Sequence, residues 1–133
     1  MPVVRFGVSL EKELLEELDA YVADNQLANR SQGIRHLLNN NIVKKKWKCN
    51  NVVAGSLTLV YNPHKRGIVH KLTSIQHEYH EVILSSQHFH LDHDNCLEIV
   101  AVKGKAVVLT ELADKLQSLK GLQHGMLTMS KAN

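Results

Sequence analysis

The stretch Gln87-His88-Phe89-His90-Leu91-Asp92-His93-Asp94-Asn95-Cys96 decides how the second half of this chain is organised. Side chains two residues apart leave the same face of an extended strand, so His88 and His90 should project together. Residues 92–95 are typical turn formers, so the chain can return with Cys96 beside the two imidazoles. Two nitrogens and one thiolate on a hairpin suit a transition metal, and the pattern leaves the identity of that metal open.

Regular elements are expected on both sides of this hairpin. Alternating apolar residues predict strands, and apolar residues at helical spacing predict helices. Pro63 suits the first turn of a helix, and Gly121 suits the end of another. The expected elements are a strand from Val52 to Tyr61, a helix from Pro63 to about His77, strands over 82–91 and 96–102, a helix over 107–119 and a strand from Leu122 to Met129. This β-α-β-β-α-β order is a split βαβ arrangement.

Val3 to Leu10, near the start of the chain, also alternate with a period of two. Val4, Phe6, Val8 and Leu10 are separated by polar or small residues, which predicts a short half-buried strand. No other strand is expected nearby in the sequence. Pairing with a second copy of the same strand is the simplest way to satisfy its backbone.

Two helices should follow this strand. Residues 11–24 are acidic at their start and have apolar residues at helical spacing. Ser31 is expected to cap the second helix, and the stretch 39–48 is expected to end it and form a linker. A strand and two helices in under 50 residues form too small a unit to be stable alone, which again favours a dimer.

Composition narrows the class of protein. The 133 residues are 44% apolar and 22% charged, as in soluble globular proteins, and no apolar run approaches the ~20 residues that span a membrane. The N-terminal residues lack the pattern of a signal peptide. The two cysteines, Cys49 and Cys96, do not make a disulfide framework, so a cytoplasmic location is expected. The net charge of +3 permits an acidic partner such as DNA. No nucleophile–base pair stands out, so an enzyme is not expected.

Taken together, these segments resemble the nickel-responsive regulator (NikR) family over almost the whole chain. The metal pattern is the specific part, because its spacing and flanking sequence agree together. The stretches that carry the resemblance are Arg5-x-Gly7-x-Ser9, 29–31, 34–35, 74–77 and His88-x-His90 through Cys96-Leu97-Glu98.

The resemblance implies an α+β protein of two domains. Residues 1–48 would form a ribbon-helix-helix DNA-binding domain, as a swapped dimer, and residues 49–133 an ACT-like, ferredoxin-type domain for metal binding and tetramerisation. The protein would be a homotetramer, a dimer of dimers, with one Ni(II) per subunit. The resemblance adds His77 of a neighbouring subunit as the fourth ligand to the three that the sequence itself supports: His88, His90 and Cys96.

The resemblance also implies DNA contacts. Arg5, Gly7 and Ser9 would lie on the face of a two-stranded ribbon that enters the major groove. Gly7 departs from the family's polar side chain at this position, which predicts a different operator. Arg30 and Ser31 near the start of the second helix, and Lys65 with Arg66 at the start of the metal-domain helix, would contact the DNA backbone.

Several residues near the site are expected to play supporting parts. Glu98 can orient a ligand imidazole, while His80 and His93 can act as supporting residues or as secondary metal ligands.

Gln32 and His36 stand where the family has acidic residues at a secondary cation site. That site is in doubt here, because a hard cation prefers carboxylate and carbonyl oxygens.

The expected function is that of a nickel-responsive, sequence-specific DNA-binding regulator that represses nickel uptake genes. Two alternatives stay open from the sequence. The first is a regulator of the same architecture that senses another transition metal. The second is an antitoxin-like ribbon-helix-helix protein that binds a partner protein through its second half.

Overall fold

The computed structural model describes residues 2–132. Its contacts divide the chain into two compact units, one reaching to Asn41 and the other beginning at Ile42. The elements are α1 (Lys12–Asp24), α2 (Arg30–Lys48), β1 (Val52–Tyr61), α3 (Ile68–Glu78), a 3-10 turn (His80–Val82), β2 (Ile83–Asp92), β3 (Asn95–Lys105), α4 (Ala106–Gln117) and β4 (Leu122–Met129). Within residues 2–132, no helix is both long and apolar enough to cross a membrane.

The first unit is a pair of helices that approach closely. At Gly33 of α2, an added Cβ would lie 2.6 Å from Cγ2 of Val22 and 3.3 Å from Cδ1 of Leu18, both in α1. The absence of a side chain at this position therefore lets the two helices pack. Between them, Gln26 takes a positive φ of 54°, and the Leu27 amide donates to the carbonyl of Val22 at 2.9 Å. This is a helix-ending arrangement that satisfies a terminal carbonyl.

The segment before α1 forms no strand in this single chain. Residues 2–10 are exposed and carry no β assignment, and Phe6 and Val8 are 75% and 60% exposed. A strand needs a hydrogen-bonding neighbour, and the predicted neighbour is a second copy of the same segment. The strand therefore stays a prediction for an assembled protein.

The predicted cap of α2 is wrong by two residues. The helix begins at Arg30, and the side-chain Oδ1 of Asn29 accepts a hydrogen bond from the Gln32 amide at 2.9 Å. Asn29 is therefore the N-cap, and Ser31 lies inside the first turn. Both residue types are good caps, so composition alone did not separate them.

The predicted linker over residues 39–48 is also wrong, because α2 continues to Lys48. Trp47 explains the extension: its side chain is buried in the second unit, and its indole N–H donates to the carbonyl of Ser130 at 2.7 Å. Beyond the helix, Asn50 has a φ of 56°, and the Asn51 amide donates to the carbonyl of Lys46 at 3.1 Å. The last turn of this helix therefore contacts a residue 83 positions away in the sequence.

The second unit is a four-stranded antiparallel sheet in the order β2-β3-β1-β4. The β-α-β-β-α-β order confirms the α+β prediction for this half of the chain and is compatible with an ACT-like domain. The buried core lies between one face of the sheet and helices α3 and α4. Its largest members include Leu57, Leu59, Ile68, Leu72, Leu109, Leu112 and Leu116.

The sequence predicts that α3 begins at Pro63, and this prediction is wrong. Residues 62–67 form turns, in which the Lys65 amide donates to the carbonyl of Asn62 at 3.2 Å, and α3 begins only at Ile68. Proline is as well suited to the second position of a β-turn as to a first helical turn. Gly67, with a φ of 81°, then separates this loop from the helix. Lys65 and Arg66 therefore lie on a loop rather than on the helix.

The remaining boundaries differ by small amounts. The strands β1 and β4 have the predicted ends, whereas β3 runs three residues further than predicted, to Lys105. Helix α4 ends at Gln117, and Gly121 lies beyond it with a φ of 100°, in the connection to β4.

Candidate metal centre

The register of β2 and β3 places the predicted donors on one face of the sheet. His90 is the cross-strand partner of Cys96, and His88 is the partner of Glu98. Cys96 and Glu98 are buried, together with Val100 further along β3, so this face points towards the helices. The alternation of β2 therefore brings both imidazoles to the side where the thiol lies.

Glu98 is a buried carboxylate that holds several of its neighbours. It is 1% exposed, and its Oε1 lies 3.0 Å from Nε2 of His88 and accepts from the Tyr61 hydroxyl at 2.9 Å. Its Oε2 accepts from Nε2 of Gln76 at 2.6 Å and from the Ser86 hydroxyl at 2.9 Å. A buried charge is costly unless it is paired and hydrogen-bonded, and these four contacts meet that condition.

The carboxylate also orients His88. With Nε2 facing Glu98, the proton is favoured on Nε2, and the lone pair of Nδ1 is free for another partner. The His88 side chain is 56% exposed, so this nitrogen remains accessible. The structure thus brings Glu98 to the imidazole that it was expected to orient.

Tyr61 completes this group. Burial, followed by the charge and hydrogen bond of Glu98, raises the pKa of Tyr61 far above its ordinary value. The phenol therefore stays protonated and acts as a donor to Glu98 at any working pH. Tyr61 is also the cross-strand partner of Cys96, so a single residue contacts both the thiol strand and the buried carboxylate.

His77 stands near the end of α3, beside a cavity of about 320 Å³. His88 and Glu98 line the same cavity, with Tyr61, Val69, Leu72, Thr73, Gln76 and Ser86. His80 lies against His77: its Nδ1 is 3.0 Å from the His77 carbonyl oxygen, and the two rings stack with centroids 5.8 Å apart. His80 therefore supports the end of the helix that carries His77.

The four predicted ligands do not close around a common point within one chain. In the described part of the chain, the group of three or more possible donors within 4.8 Å of one another is His64, His93 and Asp94. His77, His88, His90 and Cys96 therefore do not form a compact set in this single copy. His88 and His90 lie on β2, an edge strand whose outer side has no neighbour within the described sheet.

The residues expected to contact DNA are exposed, but one of them, Arg30, is already paired with an acidic side chain. Arg5, Gly7, Ser9, Ser31, Lys65 and Arg66 are all exposed. Arg30 is engaged by Asp19, since its Nε and Nη2 donate to the two carboxylate oxygens at 2.8 and 3.0 Å. This hydrogen bond lowers the pKa of Asp19 and raises that of Arg30. A phosphate would have to compete with Asp19 for part of the guanidinium.

The positions of the doubtful cation site are already occupied by other interactions. Nδ1 of His36 is hydrogen-bonded to the hydroxyl of Tyr21, whereas the hydrogen bond of Gln32 to Asn29 is made by its backbone N–H, in the cap of α2. Neither residue supplies the carboxylate that a hard cation prefers.

Sequence reasoning missed three residues around Glu98. Ser86 precedes His88 by two positions, so the alternation of the strand could have placed it on the same face. Tyr61 and Gln76 come from other elements, and only the sheet register and the packing of α3 bring them to the carboxylate.

The fold and the donors thus define an α+β protein whose four-stranded antiparallel sheet carries candidate transition-metal ligands on its β2–β3 hairpin. The family model described as the NikR C terminal nickel binding domain matches residues 54–130. A relative from Syntrophus aciditrophicus, named "Putative nickel-responsive regulator", is 47% identical over 128 residues, covering 96% of this chain and 93% of the relative. A relative of the same name from Thermococcus kodakarensis is 46% identical over 131 residues, covering 98% and 95%. The chain belongs to the nickel-responsive regulator family.

A solved structure supports the fold alone. An uncharacterized protein from Thermotoga maritima matches with a TM-score of 0.55 and 16% identity, covering 61% of this chain and 100% of that one. The shared part is therefore a fold, without implication for function.

Proposed function

We propose that this protein is a cytoplasmic, nickel-responsive, sequence-specific DNA-binding repressor of nickel uptake genes, and not an enzyme. The observation that carries the proposal is the shared face of His88, His90 and Cys96 in a chain of the nickel-responsive regulator family. One Ni(II) per subunit would be held by these three residues and by His77 of a neighbouring subunit. Imidazole and thiolate donors in a square-planar arrangement suit Ni(II).

The exposed apolar surface supports assembly of several subunits. On β2, Leu84, Phe89 and Leu91 are 66%, 46% and 55% exposed on an edge strand. An exposed apolar edge of this kind is a liability in a monomer and is normally covered. A second subunit at this edge would cover these side chains and could bring its own His77 to the ligands of the first.

The first unit supports a ribbon-helix-helix dimer in a similar way. A groove of about 610 Å³ lies between the N-terminal segment and the two helices, and Phe6, Val8, Leu10, Leu14, Ile34 and Leu37 are among its apolar lining residues. A second copy would fill this groove and would pair with residues 3–10 as a two-stranded ribbon. Arg5, Gly7 and Ser9 would then face the major groove of operator DNA.

Nickel would act on DNA binding through α3. This helix has His77 near one end, and the loop before its other end carries Lys65 and Arg66. Metal binding that orders the helix would favour the arrangement in which these two cations contact the DNA backbone, which is a population shift. Arg30 and Ser31 would add phosphate contacts from the first unit.

Selection of DNA from a random pool tests this function without knowledge of the operator. The wild-type protein, His88→Ala and the control His124→Ala, an exposed histidine on β4 at the opposite edge of the sheet, would each be used with and without nickel. We expect a common sequence to be enriched by the wild type and by the control only when nickel is present. Enrichment that ignores nickel, or no enrichment at all, would contradict the proposal.

Sharing of the site between subunits has its own test. His77→Ala and Cys96→Ala subunits each lack one ligand, but a mixed assembly contains complete sites if His77 comes from the neighbour. Unfolding and refolding the two variants together should therefore restore part of the tight nickel binding that each lacks alone. If the mixture binds nickel no better than the separate variants, the ligands come from a single chain.

A further inference from the structure

Two loops of the second unit meet at a cluster of possible metal ligands. His64 lies on the loop between β1 and α3, and His93 and Asp94 lie on the turn between β2 and β3. One donor atom from each of the three residues lies within 4.8 Å of the others. Nε2 of His64 is 3.0 Å from the His93 carbonyl oxygen, and the two ring centroids are 5.0 Å apart.

The backbone on both sides of the cluster is held by local hydrogen bonds. Oδ1 of Asn62 accepts from the His64 amide at 2.9 Å, and Oδ1 of Asp92 accepts from the Asp94 amide at 2.9 Å. The Asn95 side chain also donates to both oxygens of Asp92, at 2.9 and 3.0 Å. Residues held in place before a ligand arrives lose less entropy when it binds.

We propose that His64, His93 and Asp94 form a second binding site for a divalent transition-metal ion, separate from the proposed nickel ligands. Two imidazoles and one carboxylate are a ligand set suited to Zn²⁺ and its neighbours in the first transition row. All three residues are exposed, so water can fill the remaining positions around the ion. Because the set has no thiolate and is open to solvent, it should bind metal more weakly than the proposed nickel ligands.

The position of the cluster suggests what an ion there would do. His64 directly precedes Lys65 and Arg66, and Asp94 stands two residues before Cys96. An ion at this site would clamp the loop that carries the two cations to the hairpin that carries the thiol. This consequence rests on the proposed function, whereas the binding of the ion does not.

A zinc titration of nickel-loaded protein tests the site. The full chain would first receive one equivalent of nickel, and the thiolate–nickel absorption band would show whether the proposed ligand set is filled. Zn²⁺ would then be added in a calorimeter to the wild type, His64→Ala, Asp94→Asn and His124→Ala. Asp94→Asn keeps the size of the side chain and removes its charge, and His124→Ala removes an exposed histidine from a distant strand.

We expect the wild type and His124→Ala to show the same zinc-binding event. His64→Ala and Asp94→Asn should each weaken it by at least about tenfold, since each removes a ligand. In the wild type, zinc should also shift the amide resonances of residues 64–67 and 92–95. Equal zinc isotherms for all four proteins would overturn the second site and leave the His64–His93 contact as a structural hydrogen bond only. A missing thiolate–nickel band would instead contradict the proposed function, and the zinc comparison could still be made.

Discussion

Nε2 of His88 lies 3.0 Å from Oε1 of Glu98, and Glu98 is 1% exposed. An exposed imidazole is thereby anchored to a buried carboxylate, which is itself held by Tyr61, Gln76 and Ser86. The orientation of His88, a proposed ligand, therefore depends on a residue of β1, a residue of α3 and a second residue of its own strand.

Glu98→Gln should weaken nickel binding by about 10–100-fold, the usual effect of losing a partner that orients a ligand. The amide would put a donor in place of a carboxylate oxygen that already accepts from two neighbours, and the negative charge facing the His88 ring would be lost. Affinity can be measured by competition with a chelator of known strength. Glu111→Gln, an exposed glutamate on α4, is the matched control and should bind nickel like the wild type. Equal nickel affinities for the two variants would mean that Glu98 does not orient a nickel ligand.

Tyr61→Phe should change how stability depends on pH. The pKa of Tyr61 is raised, first by burial and then by Glu98, so folding favours the protonated phenol. This contribution is fully present below pH ~10, the ordinary tyrosine value, and is lost as the pH rises towards the raised value. Urea unfolding of the metal-free protein should therefore show a loss of stability in alkali that is smaller in Tyr61→Phe. Tyr21→Phe, on α1 of the first unit, should keep the full wild-type loss, and the same pH profile in all three proteins would refute the prediction.

Gly7→Ser should alter DNA recognition without altering the fold. A Cβ added at Gly7 meets no atom within 4 Å, so the position has room for a side chain. On the proposed ribbon, the new hydroxyl would contact a base edge or phosphate and should shift the sequences enriched in a selection experiment. An unchanged enriched sequence would argue that position 7 does not face DNA.

Gly33→Ala should destabilise the first unit, because Gly33, unlike Gly7, has no room for a side chain. Its Cβ would lie 2.6 Å from Cγ2 of Val22, so the Val22 side chain or the helices themselves would have to shift. Overpacking of this kind costs about 1–3 kcal/mol. Thermal unfolding followed by circular dichroism should show a lower midpoint for Gly33→Ala than for Gly7→Ser. Equal midpoints would mean that the helices are less closely packed than the structure shows.

Trp47→Phe should lower the free energy of unfolding by about 1–3 kcal/mol. It removes the indole hydrogen bond to the Ser130 carbonyl and shrinks a buried side chain, which leaves part of its space unfilled. Urea unfolding followed by circular dichroism measures the change. The exposed Cys49→Ser, two residues later, is the control and should unfold like the wild type. A Trp47→Phe protein as stable as the control would mean that the end of α2 does not depend on this contact.

The sequence predicted elements whose signals are local and missed those set by distant contacts. β1 is apolar and rich in residues that favour strands, β4 has Leu127 and Met129 on one face, and the ends of both strands were predicted correctly. The extension of α2 depends on Trp47 and Ser130, which lie 83 residues apart, so no local pattern could show it. The turn at Pro63 failed for another reason, because a proline fits a β-turn and a helix start equally well.

In the candidate metal site too, the sequence predicts the features that depend on local pattern and misses those that depend on distant contacts. The shared face of His88 and His90 follows from the period of a strand, and the return of Cys96 follows from the turn residues before it. The contact between His64 and His93 joins residues 29 positions apart and had no sequence signal. The place proposed for His77 in the ligand set would depend on a neighbouring subunit, so neither the spacing in the sequence nor one copy of the chain decides it.

The most direct test of the central claim is a nickel titration followed by ultraviolet-visible absorption. The wild type should develop a thiolate-to-nickel charge-transfer band that saturates at one nickel per subunit, because Cys96 is a proposed ligand. Cys96→Ser should lack the band, His88→Ala should show it weakly or not at all, and His124→Ala should match the wild type. A wild-type protein that binds nickel without this band, or a band that persists in Cys96→Ser, would contradict the assignment.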